Sequence, residues 1–320
     1  GMSRFPEELY STNWFVDQGI DFLRTRETGQ PFFLWLSLLD PHPPLEIHEP
    51  YYSMYDQANI PEPIVPAWVD SDDCPLALYE HRHMFNPGPI KPERLRKARS
   101  VYYGMITNLD HQLGRLFGTM MREGLWENTW IIYTTDHGEH LGDYGDIHKA
   151  TFLAPSARTP FIVRPPASEN IEPGRTSDAL IQHADLLPTF CGIAGAEPPA
   201  DIDGVSLLPA WRDPAAKTRD MLHGCIDEQH MLHDGRYKYL YFTEDGAELL
   251  FDTQEDPMDT RNLAQDSPRT AELRNALTDR LKAIGHEHIV DGKLLNRGHR
   301  KRPVNVLRAA NVDGLPPAAG

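Results

Sequence analysis

A chain of 320 residues with 40% apolar and 24% charged residues can bury the core of one large domain, or of a large and a small one, and is too apolar to stay disordered. Its net charge of -16 excludes broad nucleic-acid binding, which relies on Lys and Arg against phosphates, so an anionic ligand would need a local cationic patch. No apolar run reaches the roughly 18 residues of a membrane span and no basic-then-apolar leader opens the chain, so as given it is expected neither to span a membrane nor to carry a secretion signal.

Gly1 before Met2 reads as a tag remnant, which leaves localisation open to any signal upstream of Met2. Cys74, Cys191 and Cys225 are odd in number and far apart. They make no disulfide framework and no Cys-x-x-Cys zinc site, and are expected as reduced, mostly buried thiols.

In chain order, Thr12 can cap a helix through about Arg26. "PFFLWLSLL", 31–39, is continuously apolar, which predicts a central strand buried on both faces, ending at Asp40-Pro41-His42. From about Leu45 to Pro92, the Pro- and Asp-rich sequence without period predicts a long surface excursion. Pro92 suits the first turn of a long helix whose Leu95, Ala98, Tyr102, Met105, Leu109, Leu113, Leu116 and Met120 recur at three- and four-residue steps, with Gly124 as the stop. "TWIIYTT", 129–135, and "TPFIVR", 159–164, predict two more strands.

Alternating strands and helices imply an α/β fold with a central, mostly parallel (mixed) sheet flanked by helices, whose functional groups gather at the carboxyl ends of strands. His42 and Asp136-His137 both follow such ends. After about Trp211 the pattern changes. Met231 to Thr253 holds short strands with turns at Asp234-Gly235 and Asp245-Gly246, and Pro268 opens a helix with Leu273, Leu277, Leu281 and Ile284 on one face. The expected organisation is a core over 1–210, a smaller C-terminal antiparallel sheet plus helix over 211–292, and a basic, loosely ordered tail over 293–320.

The segment "IIYTTDHGEHLGDYGDIHK", 131–149, concentrates the chemistry. A carboxylate and an imidazole at adjacent turn positions, allowed by Gly138 and Gly142, can ligate one divalent cation. Lys149 would add a fixed charge for a non-bridging oxygen, and His42 could protonate a leaving group. On spacing alone, Asp-His after a strand is more often a turn or a helix cap, Lys149 a solvated residue and His42 a loop residue. His140, His148, His81 with His83, and His286 with His288 lack complete partner sets. The two His-x-His pairs read as exposed loop or helix-end residues.

"TTDHGEHLGDYGDIHKATF" followed by "RTPFIVRPP" resembles the conserved block of the type I sulfatases, in the alkaline phosphatase superfamily, which also includes phosphonate and phosphate ester hydrolases. "PFFLWLSLLDPHPPLEIHEPYYSMY", "YYGMITNLDHQLGRLF" and "YKYLYF...AELLFDTQEDPMDTRNLA" resemble further family segments in the same order. The resemblance implies a divalent metal ion, Ca2+ or Mn2+, on Asp136 and His137. It also implies a lysine, Lys149, on the sulfate or phosphate group, and a substrate-binding histidine, His42, as general acid. The implied substrate is a small anionic ester, with no nucleic acid and no membrane as partner.

Three departures accompany the resemblance. Leu153-Ala154 stands where the family commonly has an aromatic-Glu pair. The family's Cys- or Ser-x-Pro-x-Arg signature, whose first residue becomes the formylglycine nucleophile, is absent, and "CPLAL" at Cys74 does not fit it. The paired N-terminal aspartates that complete the family's metal site are absent as well. The expectation is therefore a sulfate, phosphonate or phosphate monoester hydrolase whose nucleophile segment is missing and which is inactive alone, able to pair through an exposed sheet edge as a homo-oligomer. The alternatives are a non-catalytic binding or assembly protein, or a nucleophile segment supplied by a separate chain. His137, where many sulfatases use Asn, leans toward the phosphonate monoester hydrolases and manganese.

Overall fold

The computed structural model describes residues 1–85 and 90–299. In chain order the elements are helices α1 (Ser11–Thr25), α2 (Leu76–Phe85) and α3 (Pro92–Arg122), strand β1 (Ile131–Thr134), helix α4 (Ala154–Ala157), strand β2 (Phe161–Arg164) and helices α5 (Leu186–Ala194) and α6 (Leu208–Arg212). Strands β3 (Leu222–Ile226), β4 (Gln229–His233), β5 (Tyr237–Phe242) and β6 (Glu248–Asp252) follow, then helix α7 (Arg269–Ala283) and strands β7 (Ile289–Val290) and β8 (Lys293–Leu294). The chain is thus the expected α/β protein with a C-terminal antiparallel sheet and helix. It divides into two compact units, one of residues 1–62, 90–133 and 162–170, the other of residues 63–89, 134–161 and 171 onward.

The first unit is built on α1 against α3. Val16, Ile20 and Leu23 on α1 meet Leu116 and Met120 on α3, an apolar stripe at helical spacing. At α3's middle, a Cβ on Gly104 would lie 2.3 Å from the Tyr51 carbonyl oxygen. Only glycine permits the backbone to approach so closely.

Residues 31–39 depart from the sequence expectation of a strand buried on both faces. Phe32, Leu34, Leu36 and Leu38 pack on the α1/α3 core, while Phe33 and Trp35 are 65% and 62% exposed. The segment is extended, so side chains alternate between two faces, and one layer of helices covers only one of them. It joins no ladder among the described residues, where β1 and β2 form a two-stranded sheet.

In the second unit, β3, β4, β5 and β6 make an antiparallel meander in that order. Strand β5, inside the sheet, and β6, at its edge, are covered on both faces, with successive residues packing on opposite sides. Leu240, Phe242, Leu249 and Phe251 face Trp68, Val69, Leu78, Tyr144 and Leu153. Tyr239, Tyr241, Leu250 and Leu232 face Leu273, Leu277 and Leu281 of α7. Each fully buried leucine contributes about 1.5–3 kcal/mol relative to exposure. Tyr144 and Leu153 flank Lys149 in sequence, so this core fixes both ends of the Lys149 loop.

The chain after Lys293 is held by hydrogen bonds as far as it is described. The Arg297 N–H donates to the Thr243 carbonyl and the His299 N–H to the Glu244 carbonyl, both at 2.8 Å. Most of the expected basic tail, 300–320, lies outside the described residues.

Candidate metal and anion site

Directly after β1 the backbone bends at Asp136. The Asp136 carboxylate accepts the His137 backbone N–H at 2.9 Å and the Thr135 hydroxyl at 3.2 Å, both through Oδ1. Burial alone would raise the Asp136 pKa, but the His137 N–H, the nearby His137 ring and Thr135 outweigh it and hold the carboxyl below its ordinary value. His137 gives its Nδ1 proton to the Gly138 carbonyl at 2.8 Å, which leaves a lone pair on Nε2. That Nε2 lies 3.3 Å from Asp136 Oδ2.

Two acceptors facing each other at this distance call for a cation between them, a proton or a metal ion. An imidazole nitrogen and a carboxylate oxygen are suitable donors for a divalent ion, so the residues fit one. Two donors make only part of the four to six that such ions take.

Gly138 locks the turn. Its N–H donates to the Ser156 carbonyl at 2.7 Å, and a Cβ there would sit 1.9 Å from the Pro155 carbonyl oxygen. The loop then folds on itself, with the His140 N–H donating to the His148 carbonyl at 2.8 Å and Glu139 Oε1 accepting the His148 N–H at 2.5 Å. Lys149, half-buried, follows directly, between His148 and Ala150 at φ of 78° and 72°. Left-handed backbone in two residues that are not glycine is costly and persists only where the surroundings impose it.

Beyond Ala150 the chain is held from β5 and from the segment that follows β6. The Lys238 ammonium donates to the Phe152 carbonyl at 2.9 Å and pairs with Asp259, whose Oδ2 accepts the Ala154 N–H at 2.8 Å. Burial lowers the Lys238 pKa and raises that of Asp259, and each partner opposes that effect on the other. At Ala154, in the place where the family commonly has the Glu of an aromatic-Glu pair, a buried ion pair holds the backbone. Lys238 and Asp259 were not foreseen, because neither lies near the motif in sequence.

His183 was also missed. Its Nε2 donates to the Thr135 carbonyl at 2.8 Å, bracing the residue before Asp136. The His183 turn is fixed in its turn by Asp185, whose buried carboxylate accepts Gln182 N–H, Val205 N–H and the Arg219 guanidinium. His42 belongs to the first unit and is exposed, with its N–H on the Leu39 carbonyl and its Nδ1 donating to the Pro43 carbonyl at 2.7 Å. The loop carrying it is anchored by buried Asp40, which accepts the Thr12 and Tyr10 hydroxyls at 2.6 and 3.0 Å.

The other sequence candidates separate. His81, on α2 rather than in a loop, bonds buried Asp146 at 2.7 Å. His83 donates to the Tyr79 carbonyl. His140 is fully buried against the Thr151 hydroxyl. His288 is 6% exposed, not the exposed residue expected, because its ring turns into the cover of the C-terminal sheet.

Residues 2–196 match the sulfatase family, and residues 142–287 match the family described as N-sulphoglucosamine sulphohydrolase, C-terminal. An arylsulfatase of Clostridium perfringens is 32% identical over 312 residues, covering 95% of this chain and 64% of its own. The multifunctional alkaline phosphatase superfamily protein PehA of Trinickia caryophylli is 31% identical over 306 residues, covering 85% of this chain and 59% of its own. Of solved structures, the phosphonate monoester hydrolase SpPMH from Silicibacter pomeroyi aligns with a TM-score of 0.77 at 27% identity, over 88% of this chain and 61% of that one. The chain thus spans less than two thirds of the length of these relatives. The sulfatase match runs over more than half of the chain and includes His42, the Asp136-His137 turn and Lys149, and the chain therefore belongs to the type I sulfatases of the alkaline phosphatase superfamily.

Proposed function

We propose that this chain is the larger part of a hydrolase of sulfate, phosphonate or phosphate monoesters, in which Asp136 and His137 hold a divalent cation, Ca2+ or Mn2+. The observation that carries the reading is the pair of facing acceptors, Asp136 Oδ2 and His137 Nε2, 3.3 Å apart. A cation bound there would supply Lewis-acid polarisation of an ester oxygen. Lys149 places its ammonium charge on a non-bridging oxygen, where charge develops as the ester is attacked. His42 keeps its Nδ1 proton on the Pro43 carbonyl, so Nε2 exchanges a proton with the leaving alcohol. His137 and the likeness to SpPMH support phosphonate esters beside sulfate esters, and the likeness to the Clostridium arylsulfatase supports aryl sulfates.

The formylglycine precursor is not among these 320 residues, which contain no Cys- or Ser-x-Pro-x-Arg string. The isolated chain is accordingly expected to turn over aryl sulfates and phosphonate monoesters at a trace rate at most. Efficient turnover abolished by Asp136→Ala would overturn that part of the reading and place the nucleophile within the chain. A second reading is a non-catalytic protein that keeps the fold as a binding or assembly module.

Calorimetric titration with Mn2+ and Ca2+ separates the two readings. Binding that Asp136→Ala removes supports the hydrolase. No binding by the folded chain at millimolar ion supports the non-catalytic module. Sequencing the gene upstream of the Met2 codon decides between a missing and an absent nucleophile: an in-frame Asp-Asp pair with the Cys- or Ser-x-Pro-x-Arg signature supports the hydrolase, and a stop codon there opposes it.

A further inference from the structure

Away from the Asp136 turn, the second unit gathers Cys225, His230, His286 and His288 so that one donor atom from each lies within 4.8 Å of every other. Two independent pieces of local structure produce the cluster. In the β3–β4 hairpin, Cys225 and His230 are direct cross-strand partners, so their side chains share one face. That face also carries Leu232, which packs on α7.

At the end of α7, Gly285 at φ 63° lets the chain turn back, with the Gly285 N–H on the Lys282 carbonyl and the His286 N–H on the Leu281 carbonyl. These two bonds form a Schellman motif, which directs His286-Glu287-His288 over the hairpin.

The polar atoms around the cluster are arranged as a ligand set and its supports. His230 Nε2 and His288 Nδ1 face each other at 2.7 Å. On its far side His230 Nδ1 lies 3.5 Å from His223 Nε2. On its far side His288 Nε2 lies 3.8 Å from Glu228, whose carboxylate is fixed by Arg297 and Thr243. Metal-bound imidazoles commonly have such a partner, a carboxylate above all, on the nitrogen that does not bind the ion.

A hydrogen-bonded chain from His223 to Glu228 would account for His230 and His288. It leaves unexplained why Cys225 and His286 complete the ring. His230 and His288 are buried, whereas Cys225 is exposed and His286 half-buried, so the rim has room to adjust.

We propose that Cys225, His230, His286 and His288 form a structural site for a borderline divalent transition-metal ion of the zinc class, distinct from the Asp136-His137 turn. Bond lengths of about 2.0–2.3 Å place tetrahedral ligand atoms about 3.3–3.8 Å apart. His230 and His288 stand closer than that range at 2.7 Å, and all four donor atoms lie within 4.8 Å of one another. A cysteine thiol ordinarily keeps its proton at neutral pH. Binding releases that proton to solvent and leaves a thiolate on the ion, and affinity therefore rises with pH. The occupied site would fasten the segment after α7 to the hairpin.

Cobalt(II) is the probe, because a thiolate ligand gives it a near-ultraviolet charge-transfer band that oxygen and nitrogen ligands alone do not. Titrating the full chain with Co2+ is expected to develop this band with one equivalent, and Zn2+ to abolish it. Cys225→Ser is expected to remove the band, His286→Ala to weaken Co2+ binding at least about tenfold, and Asp136→Ala to leave both unchanged. The proposal is overturned if the folded chain shows no band at millimolar Co2+. It is equally overturned if the band survives Cys225→Ser, since Cys74 or Cys191 would then be the ligand.

Discussion

The Asp136-His137 turn and the Cys225–His288 cluster lie in the same unit and are built by opposite means. In the turn, two neighbouring residues meet because backbone hydrogen bonds and a tight glycine bend their side chains toward one point. In the cluster, residues up to 63 positions apart meet because a strand register and a helix end happen to coincide in space. A turn of this kind survives changes in the surrounding core but fails when its own backbone is altered. The cluster tolerates local backbone change but depends on the packing of α7 against the sheet.

The largest expected effect is a crossed loss of ions. Asp136→Ala should weaken Mn2+ binding about 100-fold or more by calorimetry and leave the cobalt–thiolate band intact, while Cys225→Ser should do the reverse. Loss of both ions in either variant would mean that the two regions are one cooperative unit. Next, Leu277→Ala, which removes a fully buried side chain between α7 and the sheet, is expected to cost about 2–5 kcal/mol in denaturant unfolding. In the molecules that remain folded, Co2+ affinity should fall while Mn2+ affinity holds.

Gly138→Ala tests the converse. The added methyl group meets the Pro155 carbonyl oxygen, and the cost is expected at about 1–3 kcal/mol with weakened Mn2+ binding and unchanged Co2+ binding. A stable Gly138→Ala protein with normal Mn2+ affinity would remove the tight turn from the account.

The effect that is smallest at neutral pH concerns His140, an imidazole kept neutral by burial. Burial lowers the His140 pKa to about 4, opposed by Asp146 and assisted by His81. The unfolded chain takes up a proton below about 6.5 that the folded chain refuses, so this histidine's contribution is lost as pH falls from about 6.5 toward 4, at up to about 1.4 kcal/mol per pH unit. His140→Gln should flatten the fall of unfolding temperature over that window, and an unaltered slope would show that His140 titrates normally in the native state.

The strands and helices with one clear period were legible in the sequence. The stripe of α3 and the face of α7 each needed a single partner layer, and both pack as their spacing requires, except Ile284, which caps the end of α7 and is 56% exposed. Residues 31–39 were misread because continuous apolarity states that both faces can be buried, not that both are. The Asp136-His137 pair was readable because its donors are adjacent. Lys238, Asp259 and His183 were not, because what they do depends on carbonyls and amides 48 to 105 positions away.

The sequence by itself determined the periodic elements, the Asp-His turn and the family, since these rest on period, neighbouring residue types and collinear motifs, but not α2 or the extended 31–39 segment. Only the tertiary structure decided that the Lys238–Asp259 pair holds the backbone at Ala154. It alone also decided that four donors read as scattered should share one small volume, because side-chain meeting points depend on strand register and helix ends, which no local pattern of residues encodes.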